Sequence, residues 1–212
     1  MKFSTLQSNI SILKNTPIKG LEAQFELAPE IRKQYSEDMI QLKNPRKAGV
    51  LALFYPNKQG DATFVLTKRA QYNGTHSSQI SFPGGKAEQI DKNLADTAIR
   101  ECFEEIGIPQ EKIEVIREFT DAYIPPSNFL VTPFLGLINY TPQFTLNNEV
   151  ATIIEVKLSE LMDNKNLVLK QMNTSYMKNA MIPCFNFNNH IVWGATAMIL
   201  SEIKSLFIDI NG

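Results

Sequence analysis

Residues 84–108 read GGKAEQIDKNLADTAIRECFEEIGI, and this stretch decides the fold. Apolar side chains at Leu94 or Ala95, Ala98, Ile99, Cys102, Phe103 and Ile106 recur every three or four residues. That spacing predicts a helix from about Lys92 to Ile106 with those residues on its inner face. Asp91 is expected to cap its start, with Gly107 just past its end and Pro109 as a stop. Glu101, Glu104 and Glu105 then stand at i, i+3 and i+4, so three carboxylates share one helix face.

A run of glutamates ordinarily marks a solvated face, but local energetics oppose that reading here. Glu101 and Glu105 are like charges one turn apart. Glu104 and Glu105 occupy the last turn, where the negative end of the helix dipole disfavours anions by a few tenths to about 1 kcal/mol each. Arg100 can offset part of this by pairing with Glu104. Residues that break stability rules together tend to serve a site, and a hard divalent cation such as Mg²⁺ supplies the missing positive charge. Gly84 and Gly85 can bring bare backbone close to a ligand, and Lys86 can offer its ammonium to a phosphate. Neither His76 nor His190 has neighbours suited to a softer metal.

Around this centre the chain reads as a mixed α/β protein. An amphipathic helix is expected over residues 3–14, followed by a polar stretch to about residue 45, together an N-terminal extension packed on the rest. GVLALFY (Gly49–Tyr55) and ATFVLT (Ala62–Thr67), joined by the turn formers PNKQGD, predict a central hairpin. Residues 68–91 read as a long ordered loop of the functional kind. Strands are expected at Ile113–Ala122, Phe129–Ile138 and Val150–Val156, and one helical turn at Leu158–Met162. A second hairpin is expected from Leu167–Met172 and Met181–Phe187, and a last helix at Ala195–Ile208 with Met198, Ile199, Ile203 and Leu206 inward.

The 212 residues carry 21 Lys and Arg against 22 Asp and Glu, so the molecule as a whole has no electrostatic footprint for duplex nucleic acid or anionic membrane. At 43% apolar composition one sizeable core is expected, and residues 1–212 read as a single domain. Cys102 and Cys184 suit neither a disulfide framework nor a zinc site. No apolar run has signal-peptide or membrane-span length, so a cytoplasmic protein is expected.

The helix and its loop resemble the box of the Nudix hydrolases: a glycine, a loop, an acidic residue, then R-E-U-x-E-E-x-G-U with U apolar. Here those positions are Gly85, Asp91, Arg100, Glu101, Cys102, Phe103, Glu104, Glu105, Ile106, Gly107 and Ile108. The interval from Gly85 to Arg100 is one residue longer than in the general box, and Asp91 replaces its first glutamate. Both features resemble the coenzyme A pyrophosphatase branch. So do Leu66, Thr67, Lys68 and Arg69 followed by Phe82, Pro83, Gly84 and Gly85, although Gly74 stands where that branch often has Arg and Ser78 where it often has Gly. Further similarity in Pro125–Gly136, Asn147–Val150 and Val192–Ala197 extends the likeness over roughly residues 45–200.

The resemblance implies an α+β fold, a Nudix-type α/β/α sandwich with a mixed sheet. It implies Mg²⁺- or Mn²⁺-dependent hydrolysis of the diphosphate of coenzyme A or acyl-CoA. Glu101 and Glu105 would be the principal metal ligands, Glu104 a ligand directly or through water, and Arg100 the residue orienting them. Glu149, in a polar turn, is the expected general base. Lys68, Arg69, Gly84, Gly85 and Lys86 are expected to bind substrate, with Arg69 the stronger choice for the 3′-phosphate. Phe82, Phe129 and Trp193 could line a groove for the pantetheine arm. Another nucleoside diphosphate derivative, such as ADP-ribose or a nucleotide, stays open as substrate, as does a catalytically silent ligand sensor. No partner beyond the small molecule is expected, with a homodimer left open.

Overall fold

A strand whose apolar residues run without alternation must be covered on both faces, and residues 46–56 meet that condition. In a computed structural model, which describes residues 1–70, 79–173 and 179–210, this segment is strand β1 (Arg46–Pro56). Leu51, Leu53 and Tyr55 point to one side of the sheet and Ala52 and Phe54 to the other, all of them buried. The preceding segment holds four short helices, α1 (Phe3–Ser8), α2 (Ile10–Asn15), α3 (Leu21–Phe25) and α4 (Glu37–Leu42).

Beyond β1 come β2 (Ala62–Arg69), β3 (Ile80–Ser81), β4 (Gly84–Lys86), α5 (Leu94–Ile106), β5 (Glu114–Glu118), β6 (Ala122–Ile124), β7 (Phe129–Leu137) and β8 (Val150–Lys157). The chain continues through α6 (Leu158–Met162), β9 (Leu167–Met172), β10 (Ala180–Phe187), β11 (His190–Val192) and α7 (Gly194–Asp209). β1 lies parallel to β7 along its length and antiparallel to β2 over Phe54–Pro56, so the main sheet is mixed. Helix α5 covers one face through Ala98, Cys102 and Ile106; α7 covers the other through Leu200, Ile203 and Phe207. The expected α/β/α sandwich with a mixed sheet is therefore present, and β9, β10 and β11 form a small separate antiparallel sheet.

The site is created where β1 and β2 part. β4 pairs with the first half of β1, Gly49 opposite Gly85, while β3 pairs with the end of β2. The turn between them, Phe82–Pro83, thus enters a split between two central strands. Backbone approaches there are close enough to require glycine. A Cβ on Gly84, whose φ is +154°, would lie 2.6 Å from the Val50 Cα, and one on Gly49 would meet the Leu94 carbonyl and lie 3.1 Å from the Ala98 nitrogen.

Several expectations are corrected. The N-terminal helix breaks at Asn9 into α1 and α2. The supposedly polar stretch to residue 45 contains α3 and α4 and buries Ala23, Gln24, Leu27 and Ile40. Gln24 Nε2 donates to the Thr120 carbonyl at 2.7 Å and to the buried Glu202 at 2.9 Å, tying this segment to α7. The strand expected at Ile113–Ala122 is two strands, β5 and β6, each pairing with a different half of β7. Residues 68–91 include the end of β2 together with β3 and β4; Gly74, His76 and Ser78 lie outside the described residues. Among the described residues no helix is long and apolar enough to cross a membrane.

Candidate active site

Helix α5 begins later than the periodicity suggests, because Asn93 rather than Asp91 caps it: Asn93 Oδ1 accepts from the Asp96 N–H at 2.9 Å. Gly107 closes it in the left-handed conformation, φ +75°. Asp91 is released from capping and grips Arg100 with both oxygens, Oδ1 to Nε at 2.9 Å and Oδ2 to Nη2 at 3.0 Å. It also accepts from Thr97 Oγ1 and the Glu88 N–H, each at 2.9 Å. These donors, Arg100 first, hold the Asp91 carboxyl down at about 2. Arg100 in turn donates to Glu101 at 3.0 Å, to Glu104 at 3.2 Å and to the Lys86 carbonyl at 3.1 Å. One guanidinium therefore joins the glycine strand β4 to the acidic face of α5.

The three glutamates do not share one environment. Glu105 is buried and accepts from the Gly84 N–H at 3.3 Å; Glu101 is mostly buried beneath Gly85; Glu104 is half exposed. Phe103, expected inward, is 48% exposed instead. The helix rotates so that Glu105 rather than Phe103 joins the buried side. Burial pushes the Glu105 carboxyl up to about 7, with the neighbouring charges of Glu101 and Glu149 adding to the effect. Burial likewise raises Glu101, helped by Glu104 and Glu149.

Among the described residues, no three His, Cys, Asp or Glu side chains stand disposed to hold a metal ion. Glu101 and Glu104 turn toward Arg100, and Glu105 toward Gly84. The donor set nevertheless fits a hard divalent cation in its chemistry. It offers oxygen only, and two of its carboxylates are unfavourable as anions without added positive charge.

Glu149 lies in the turn before β8, its N–H bonded to Asn147 Oδ1 at 2.9 Å and its carboxylate to Arg69 Nη2 at 2.7 Å. The pairing of β2 with β8 shifts register between Lys68 and Arg69. Such a bulge re-aims the side chains that follow it, and Arg69 reaches both Glu149 and the cavity described next, whereas Lys68 does not line that cavity. The cavity, ≈ 830 Å³, opens beside the glycine strand. Of the residues expected to bind substrate, Arg69, Gly84, Gly85 and Lys86 line it; so do Phe82, Phe129 and Trp193. The glutamates adjoin it through Gly84 and Gly85.

The cavity is also lined by residues that no sequence motif marks: Pro29, Arg32 and Tyr35 from the N-terminal segment, and Tyr123 from β6. No local pattern marks them, because PEIRKQY has neither a motif nor a clear apolar period. Cations and aromatic rings line the cavity without any aspartate or glutamate among its described residues.

The mixed sheet between two helices, with a glycine strand set against a carboxylate helix, agrees with the family match in placing the chain among hydrolases that act on pyrophosphate bonds. A family model described as NUDIX domain matches residues 44–175, and the chain belongs to the Nudix family, hydrolases of nucleoside diphosphate derivatives that generally use divalent metal ions. The chain is 32% identical over 144 residues to an uncharacterized Nudix hydrolase, NudL, of Photorhabdus laumondii, covering 66% of this chain and 75% of that one. It is 29% identical over 177 residues to Nudix hydrolase 22, chloroplastic, of Arabidopsis thaliana, covering 78% of this chain and 57% of that relative. The crystal structure of the Nudix hydrolase RenU from Mycobacterium smegmatis (M. Smegmatis) shares the fold with a TM-score of 0.54 at 16% identity, covering 78% of this chain and 88% of that chain.

Proposed function

We propose that this Nudix hydrolase splits the diphosphate of coenzyme A or its acyl derivatives, with Mg²⁺ or Mn²⁺, into a phosphopantetheine product and adenosine 3′,5′-bisphosphate. The observation that carries this is the cavity. At ≈ 830 Å³ it lies in the upper range of small-molecule sites, and its cations and rings suit a long, multiply phosphorylated nucleotide with an apolar arm. The spacing of LTKR and FPGG in the sequence supports the same substrate.

Glu101 and Glu105 would hold the metal, with Glu104 joining directly or through water. The ion, when bound, neutralises the phosphoryl oxygens and acidifies a water. Arg100, held by Asp91, sets the positions of Glu101 and Glu104. The strand Gly84–Lys86 presents backbone and an ammonium to the diphosphate, and Glu149 takes the proton of the attacking water. Arg69 holds that carboxylate in place and faces the cavity with the same guanidinium.

The test is a substrate panel of coenzyme A, acetyl-CoA, ADP-ribose and nucleoside diphosphates with Mg²⁺, Mn²⁺ or chelator, run beside Glu105→Gln. Metal-dependent preference for the coenzyme A compounds, lost in the variant, is expected. Equal turnover of ADP-ribose and coenzyme A would refute the substrate assignment. Ligand binding without any metal-dependent hydrolysis would show a silent sensor instead.

A further inference from the structure

Arg32 is the anomaly of the cavity. It belongs to the N-terminal segment, outside residues 44–175, and is only 4% exposed. Its Nε and Nη1 are buried without a hydrogen-bond partner, and no ion pair reaches it among the described residues. Its guanidinium lies over the Tyr123 ring, 5.4 Å from the centroid, and Tyr123 meets Tyr35 edge to face at 5.4 Å. Burial lowers its proton affinity, and the groups that oppose this are Tyr123 and Tyr35. Glu105, by contrast, is acted on by Arg69, Glu101 and Glu149. One cavity connects Arg32 to Gly84–Lys86.

A cation taken out of water without an anion is a costly arrangement for stability alone. It is sensible when an anion arrives with the ligand, since a guanidinium already stripped of water and aimed by its neighbours forms strong forked bonds with phosphate. Among the described residues that line the cavity, no carboxylate competes for it.

We propose that Arg32 binds a phosphomonoester of the substrate, a second anionic group distinct from the diphosphate that is cut. The proposal deepens the coenzyme A reading and rests on it for the identity of that group. It reassigns to Arg32 the role first expected of Arg69, which is paired with Glu149, and of Lys68, which lies off the cavity. It also gives the N-terminal segment a part in specificity.

Binding of adenosine 3′,5′-bisphosphate and of adenosine 5′-monophosphate tests this by calorimetry on the wild type, Arg32→Met and Arg32→Lys, with ligand-free melting measured in parallel. The wild type is expected to prefer the bisphosphate at least tenfold, the scale of one charge-assisted pair. Arg32→Met should erase the preference while leaving monophosphate affinity within twofold, and Arg32→Lys should keep part of it. Ligand-free melting of Arg32→Met should be unchanged or higher, which a purely structural arginine would not allow. Equal wild-type affinities, a preference that survives Arg32→Met, or equal weakening of both ligands would each overturn the proposal. Failure to hydrolyse coenzyme A with the bisphosphate preference intact would overturn the substrate assignment and uphold the Arg32 subsite.

Discussion

Replacing Gly85 with alanine separates the part of the glycine strand that serves the fold from the part that serves the carboxylates. A Cβ at Gly85 would lie 2.6 Å from Glu101 Oε2 and closer still to its Cδ and Oε1, whereas ordinary contact begins near 3.4 Å. The obstacle is the end of a flexible side chain, so Glu101 must retreat by about 1 Å while the backbone stays in place. Gly85 has no positive φ, and alanine in a compatible conformation stabilises by about 0.4–1 kcal/mol through the unfolded chain. The melting temperature is therefore expected to hold or rise slightly. A misplacement of about 1 Å in a group that positions the reaction costs on the order of 10²-fold in rate.

Turnover of coenzyme A and Mn²⁺ affinity by titration should fall together in Gly85→Ala. Gly84→Ala should instead lower the melting temperature, since its Cβ would strike backbone at φ +154°. A Gly85→Ala protein that melts like wild type, binds Mn²⁺ as tightly and turns over within threefold of wild type would refute the reasoning. Glycine at that position would then not exist to admit the Glu101 carboxylate.

Asp91→Asn removes the two-oxygen grip on Arg100 but leaves Glu101 and Glu104 as its partners, so a loss of about 2–3 kcal/mol is expected in urea unfolding, less than for a fully orphaned buried charge. Because the folded Asp91 carboxyl is held near 2, below its ordinary value of 3.8, its contribution is complete above about pH 4 and is lost as pH falls through 2. The depression from 3.8 to about 2 corresponds to about 2 kcal/mol, with the carboxylate almost wholly out of solvent. The wild-type advantage over Asp91→Asn should shrink across that window, and an advantage unchanged down to pH 2 would contradict the assignment. For Glu149→Gln, kcat should fall 10²-fold or more if the carboxylate is the base, with melting nearly unchanged at this exposed turn; a fall below tenfold counts against that role.

The helix, its C-terminal glycine and the pairing of Arg100 with Glu104 were all legible in residues 84–108, because each depends on neighbours within a turn or two. The central strand was equally legible, since a two-sided apolar run has one stable place in a layered protein. Local pattern misjudged Asp91, whose side chain could cap a helix or hold an arginine nine residues away, and only the packed loop selects the second. It also misplaced Phe103 and Glu105, because periodicity defines a stripe on the helix but not how far the helix rotates against the sheet.

What the sequence by itself determined is the chemistry of the centre: a glycine pair, an arginine and three glutamates at fixed spacing, in a chain whose net charge is −1. Tertiary structure alone decided where those groups end up. It buried Glu105 against Gly84, gave Arg69 to Glu149 across a bulge, and brought Arg32 from an unpatterned N-terminal segment to the wall of the same cavity. Burial, and the loss of water that makes a charge costly or useful, is set by segments far apart in the chain, and no local reading can supply it.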